Sequence, residues 1–221
     1  TSVDRGTTGI CSICERFGNL TWDHVPPKGA VHIVPVRIES LLQILVGRYY
    51  GSRPLILQNG VKYRTICKSC NDLLGREFDP TLNSFSTGVG RLLESQVTLP
   101  PVIRYRTKPM RLIRAILGHL LAAKAKMDSV VMDRRLRPGL LEMSQAIPHD
   151  VHIFYWAYPY GETRILRDTI MSAAHDNPWH AGFGYFSILK WFPLAYMITN
   201  LDAYENLPEL TAFRALGPDE E

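Results

Sequence analysis

The chain has 221 residues, 46% hydrophobic and 21% charged, which suits one ample core or two modest ones and excludes a fibrous or wholly disordered chain. A formal net charge of +4 and a pI near 8.9 permit a polyanionic partner without demanding one. Thr1 to Gly9 carries no basic segment followed by an apolar run, and the apolar stretches are too short to span a bilayer, so a cytoplasmic protein without membrane association is expected.

Along the chain, Cys11-Ser-Ile-Cys14 reads as a short knuckle, followed by Leu20 to Val25 as an extended stretch that Pro26 and Pro27 stop. Ile38, Leu41, Leu42, Leu45 and Val46 repeat at helical spacing, which predicts a short helix over Arg37 to Val46. Leu55 to Gln58 and Val61 to Ile66 flank Asn59-Gly60, a dipeptide suited to a tight hairpin turn. A helix is expected to begin near Lys68, to include Asn71, Leu73, Leu74 and Arg76, and to end at Pro80. Asn83 to Gly90, rich in serine and glycine, reads as an interdomain connection.

Pro109 to Lys126 is a strong helix candidate with its proline at the start. Val151 to Tyr158 and Thr163 to Ile170 read as strands around Pro159 to Glu162, and Tyr185 to Leu189 with Ala195 to Thr199 as a further pair. The expected class is α+β, with one domain over residues 1–84 and a second small α+β domain over 85–221.

All four cysteines fall into two C-x-x-C pairs, Cys11/Cys14 and Cys67/Cys70, with residues 15–66 between them. Two disulfides would suit a small secreted scaffold, which this chain does not resemble, and redox pairs or unrelated free thiols would also fit the spacing. Four thiolates on one structural zinc explain the pattern better, and such a site adds directly to folding free energy. A closed four-thiolate site leaves no position for a catalytic water. Asp23 offers a hard carboxylate oxygen to magnesium nearby, and His24 a base that titrates near neutrality.

Cys11-x-x-Cys14, Asp23-His24-Val-x-Pro27 and Cys67-x-x-Cys70-Asn71 together resemble the HNH, or ββα-metal, endonucleases, over about Ile10 to Gly75. The likeness is to zinc-containing members in which an asparagine follows the fourth cysteine. It implies a β-hairpin capped by a helix, Asp23 and Asn71 as ligands of a catalytic Mg2+ (Mn2+ substituting), and His24 as general base. It also implies hydrolysis of a nucleic acid, DNA being expected, to a 5′ phosphate and a 3′ hydroxyl. The insertion after Pro27 departs from the simplest motif, so Asn59 either orients His24 or serves only the turn.

Lys28, Arg64, Lys68 and Arg76 bracket the site in sequence and are candidate phosphate contacts. Arg104, Arg106, Lys108, Arg111 and Arg114, and further on Arg134, Arg135 and Arg137, either track a phosphate backbone or serve a solvated face or acidic partners. Trp22 reads as a packing residue, His32, His149, His152, His175 and His180 as non-ligands, and Pro218 to Glu221 as a solvated tail. The competing functions are a zinc-dependent nucleic-acid-binding module that does not cleave, and a sensor or interaction protein acting through its C-terminal part. By family analogy the latter could take a protein partner or regulatory ligand and use the nuclease as an antiviral defence effector.

Overall fold

The computed structural model describes residues 2–30, 36–38, 55–57, 61–95, 98–99, 101–124, 131–172, 183–202, 204 and 206–221. The fold is mixed α+β, with two four-stranded sheets around a helical layer. The first sheet contains β1 (Ser2–Asp4), β2 (Thr8–Ile10), β3 (Phe17–Val25) and β6 (Val61–Cys67) in the order β1-β6-β3-β2. The central pair β3/β6 is antiparallel, setting Trp22 opposite Arg64, Asp23 opposite Tyr63 and His24 opposite Lys62. A register shift sets Ile66 and Arg64 opposite Thr21 and Trp22, so the extra residue, Thr65, bulges β6 opposite the step just before Asp23.

Two expectations between the half-motifs change. Val36–Ile38 is a strand, β4, paired with β5 (Leu55–Leu57), so Arg37 and Ile38, the first residues of the helix expected over Arg37 to Val46, are extended. A short apolar run suits either state, and at Arg37 and Ile38 the strand pairing decides it. Since β5 pairs with β4 and β6 with β1 and β3, the strands flanking Asn59-Gly60 do not form the expected hairpin. His32, Leu41, Leu42, Leu45, Val46, Asn59, Gly60, His175 and His180 lie outside the described residues.

Helix α1 (Lys68–Leu73) follows β6 directly, passes into a π-helical turn (Leu74–Phe78) and continues as α2 (Asp79–Leu93). Pro80 therefore does not end the helix. It sits at the start of α2, where its missing N–H is least costly. Asn83 to Gly90 is helical too, because Leu82, Phe85 and Ser86 bury one face. The serines and glycines that suggest a linker are instead small residues at close contacts, and a Cβ on Gly90 would come 3.1 Å from the Phe192 ring. Residue 84 thus falls inside α2, and one apolar cluster runs from Cys11 to Leu210.

At its centre lies α3 (Pro109–Ala122), in which Leu112, Ile113, Ile116, Leu117, Leu120 and Leu121 are wholly buried. Gly118 lets α3 close on the π turn, since a Cβ there would overlap Leu74. Helix α4 (Val131–Leu141) packs beside it. The second sheet, β7 (His152–Ala157), β8 (Arg164–Ser172), β9 (Phe183–Trp191) and β10 (Leu194–Thr199), is antiparallel in the order β7-β10-β9-β8. The β9/β10 pair is as expected, whereas β7 and β8 occupy opposite edges. Among the described residues no helix is long and apolar enough to cross a membrane.

Candidate functional site

The first half of the site is the knuckle. Cys11 to Cys14 forms a turn whose Ser12 N–H donates to the Thr65 carbonyl at 2.9 Å, fastening it to β6 close to Cys67. Arg137, from α4, donates to the Ser12 carbonyl at 3.0 Å and pairs with Glu15 at 2.8 Å. The sulfurs of Cys11, Cys14, Cys67 and Cys70 all lie within 4.8 Å of one another. Cys14 and Cys67 Sγ are 3.7 Å apart, close to the ~3.8 Å edge of a tetrahedron with Zn–S bonds of ~2.3 Å. The Ile13 and Cys67 backbone N–H groups donate to Cys11 Sγ at 3.4 and 3.3 Å, and the hydrogen bond from Cys70 holds Cys11 toward its thiolate. The exposed Arg16 guanidinium, bonded to Cys14, adds positive charge beside the cluster. Four sulfurs in this arrangement could bind a metal such as zinc.

The second half is built on β3 where it faces the β6 bulge. Asn71, in the first turns of α1, donates its side-chain amide to Thr21 Oγ1 at 3.1 Å and to the Trp22 carbonyl at 3.0 Å. Its donors therefore clamp the strand beside Asp23, which leaves the carbonyl oxygen as the atom able to ligate a cation. Asp23 is buried at 6% exposure. Its Oδ2 lies 3.3 Å from His119 Nδ1, and His119 Nε2 lies 2.9 Å from Asp79 Oδ1. Burial alone would lower the imidazole pKa, but the carboxylates of Asp79 and Asp23 outweigh it and raise it to about 10. The ring is thus an imidazolium at neutral pH, donating from both nitrogens.

His24, next along β3, alternates away from Asp23 and sits opposite Lys62. Its Nε2 is buried without a hydrogen-bond partner. Burial, then the charges of Lys28 and Lys62, lower its pKa, so the imidazole is neutral and able to accept a proton.

The four candidate phosphate contacts separate. Lys28 is exposed and near enough to His24 to act on it electrostatically. Lys68 is taken by Asp72 at 2.6 Å, Arg76 donates to the Asp72 carbonyl at 3.3 Å, and Arg64 stacks on Trp22 at 4.4 Å while 3.6 Å from Asp4. The second basic cluster is largely committed as well. Arg114 is buried and donates to the carbonyls of Gly139, Met143 and Gln145, while Lys108, Arg111 and Arg106 pair with Asp219 and Glu221 of the tail expected to be solvated.

Asp79, His119 and Lys62 escaped the sequence reading. Lys62 needs the strand register, and Asp79 needs the π turn that separates it from Asn71. His119 carried a signal, as the one imidazole inside the apolar run Ile113 to Ala123. A further donor group, His152, Asp202 and Glu209, lies together in the second half, but Glu209 is already bonded to Thr211 and His152 and lies 3.5 Å from Arg214. No protein-family model, curated protein or solved structure matches this chain.

Proposed function

We propose that the chain is a metal-dependent endonuclease of the HNH type, stapled by structural zinc on Cys11, Cys14, Cys67 and Cys70, with DNA as its substrate. The observation that carries it is the Asn71 clamp, which ties the helix after the fourth cysteine to the strand bearing Asp23 and His24. Asp23 and the Asn71 carbonyl would hold a catalytic magnesium. Oxygen donors suit that hard cation, which needs few protein ligands when waters and phosphate complete its shell. When bound, such an ion polarises a phosphoryl oxygen and stabilises the leaving 3′ oxygen.

The chain's own contribution is to position and to move a proton. In this reading His24, neutral and with an unpartnered Nε2, takes the proton from the attacking water, which requires its ring to turn from the far side of β3 toward Asp23. Lys28 and Lys62, close to His24, add positive charge that draws a polyanion toward the site. Attack at phosphorus breaks the bond to the 3′ oxygen, giving a 5′ phosphate and a 3′ hydroxyl.

Two observations favour a second reading, a zinc-dependent nucleic-acid-binding module that does not cleave: Asp23 Oδ2 is already held by His119, and His24 points to the other side of β3 with its Nε2 buried. A panel of duplex, branched and single-stranded DNA and RNA, incubated with zinc-loaded protein and Mg2+, separates the two. Mg2+-dependent cleavage that Asp23→Ala and His24→Ala abolish supports the nuclease. Binding without cleavage of any substrate supports the module.

A further inference from the structure

His119 occupies the most apolar of the described helices and is completely buried. A leucine would fill that place without the cost of desolvating an ionisable ring, so the imidazole is retained against a penalty that only its partners offset. Those partners come from two other elements. Nδ1 reaches Asp23 on β3, and Nε2 reaches Asp79, the first residue of α2. One rigid ring therefore fixes two carboxylates from opposite sides. The close approach of α3 at Gly118, the residue before it in the chain, admits the ring to this position.

We propose that His119 is a positioning residue of the metal site at Asp23, with Asp79 as the anchor that orients its ring. The inference rests on Asp23 being a ligand. Gripping Oδ2 leaves Oδ1, which has no hydrogen-bond partner among the described residues, as the oxygen offered to the cation. Ligating carboxylates are held by such outer contacts, and removing one costs 10- to 100-fold in metal affinity or activity. It follows that the site is not contained in residues 1–84. Helix α3 completes it, so the second half of the chain is part of the catalytic apparatus.

The test uses the full-length, zinc-loaded protein and Mn2+ alone, with free Mn2+ read by electron paramagnetic resonance. Asp23→Ala defines the site. His119→Asn places an amide nitrogen where Nδ1 stands and preserves the contact to Asp23, whereas His119→Gln places it where Nε2 stands and does not. The expected result is Mn2+ affinity roughly 10- to 100-fold weaker in His119→Gln but within about threefold of the parent in His119→Asn, with similar melting temperatures. Equal effects of the two substitutions, no effect of either, or no Mn2+ binding that depends on Asp23 would overturn the proposal. If the contrast holds while no substrate is cut, the positioning role stands and the nuclease reading fails.

Discussion

The Asn71 side chain donates to the carbonyl of Trp22 at 3.0 Å, tying the residue after the fourth cysteine to the residue before Asp23. The same amide reaches Thr21 Oγ1, so both donors are spent on the stretch of β3 that faces the β6 bulge. Asn71→Asp keeps the carbonyl-type oxygen and replaces the donating amide nitrogen with a second oxygen. It is expected to lower stability by about 1–3 kcal/mol and to speed amide exchange along β3 while zinc is retained. Chemical denaturation and hydrogen exchange check this, and unchanged exchange at Asp23 and His24 would show that the clamp is unimportant.

Cys67 stands where β6 passes into α1 and its sulfur lies 3.7 Å from that of Cys14. Cys67→Ser should release the metal and loosen the joint that aims Asn71, because the cluster closes the loop between the two half-motifs. Metal content and thermal unfolding are expected to fall together. A variant with stoichiometric zinc and a parental melting temperature would remove the four-sulfur assignment.

His24→Ala is expected to slow single-turnover cleavage roughly 10²–10⁴-fold at saturating Mg2+, the usual scale for losing a positioned base. Zinc content, circular dichroism and DNA affinity should stay near parental values, since the buried Nε2 bonds to nothing that its loss would orphan. An unchanged rate would take His24 out of the mechanism.

The four-cysteine cluster was legible because thiolates that share a metal typically come as closely spaced pairs, and Cys11/Cys14 and Cys67/Cys70 have that spacing. Asp23, His24 and Asn71 were legible because they adjoin fixed points in the chain. Asp79 and His119 were not, since their meeting depends on a π turn and on how α3 lies over it, neither of which local periodicity encodes. The linker expected at Asn83 to Gly90 shows the same limit. Composition alone does not separate small residues that loosen a chain from small residues that let a helix pack closely.

Arg114 is buried at 1% exposure and donates to the carbonyls of Gly139, Met143 and Gln145. Reading it as a surface phosphate contact would predict weaker nucleic-acid binding from Arg114→Ala with normal stability. Its geometry predicts the reverse. Three carbonyls lose a charged donor in a dry setting, and stability is expected to fall by on the order of 3 kcal/mol or more. Urea denaturation against a nucleic-acid titration of the same variant decides between them.

The last prediction concerns the tail. Asp219 accepts hydrogen bonds from Arg111 at 2.9 Å and Lys108 at 3.0 Å, and these two cations bring its carboxyl down to about 2. Arg111 also donates to the Glu77 carbonyl and carboxylate, on the π turn two residues before Asp79. The tail is thereby linked to the helical segment that carries the site. A carboxylate whose pKa is depressed on folding contributes stability that is present above its unfolded value, near 3.8, and is lost as the pH falls through about 2. The contact should therefore survive at pH 3.5, and the Asp219 carboxyl carbon should titrate by nuclear magnetic resonance with a midpoint near 2. Arg111→Ala removes the larger cause and should return the midpoint toward 3.8. Asp219 is solvent-exposed, so raising ionic strength should shift the midpoint the same way as screening weakens both pairs. A midpoint near 3.8 in the parent protein would mean that the tail is not docked and that Lys108 and Arg111 remain available to a polyanion.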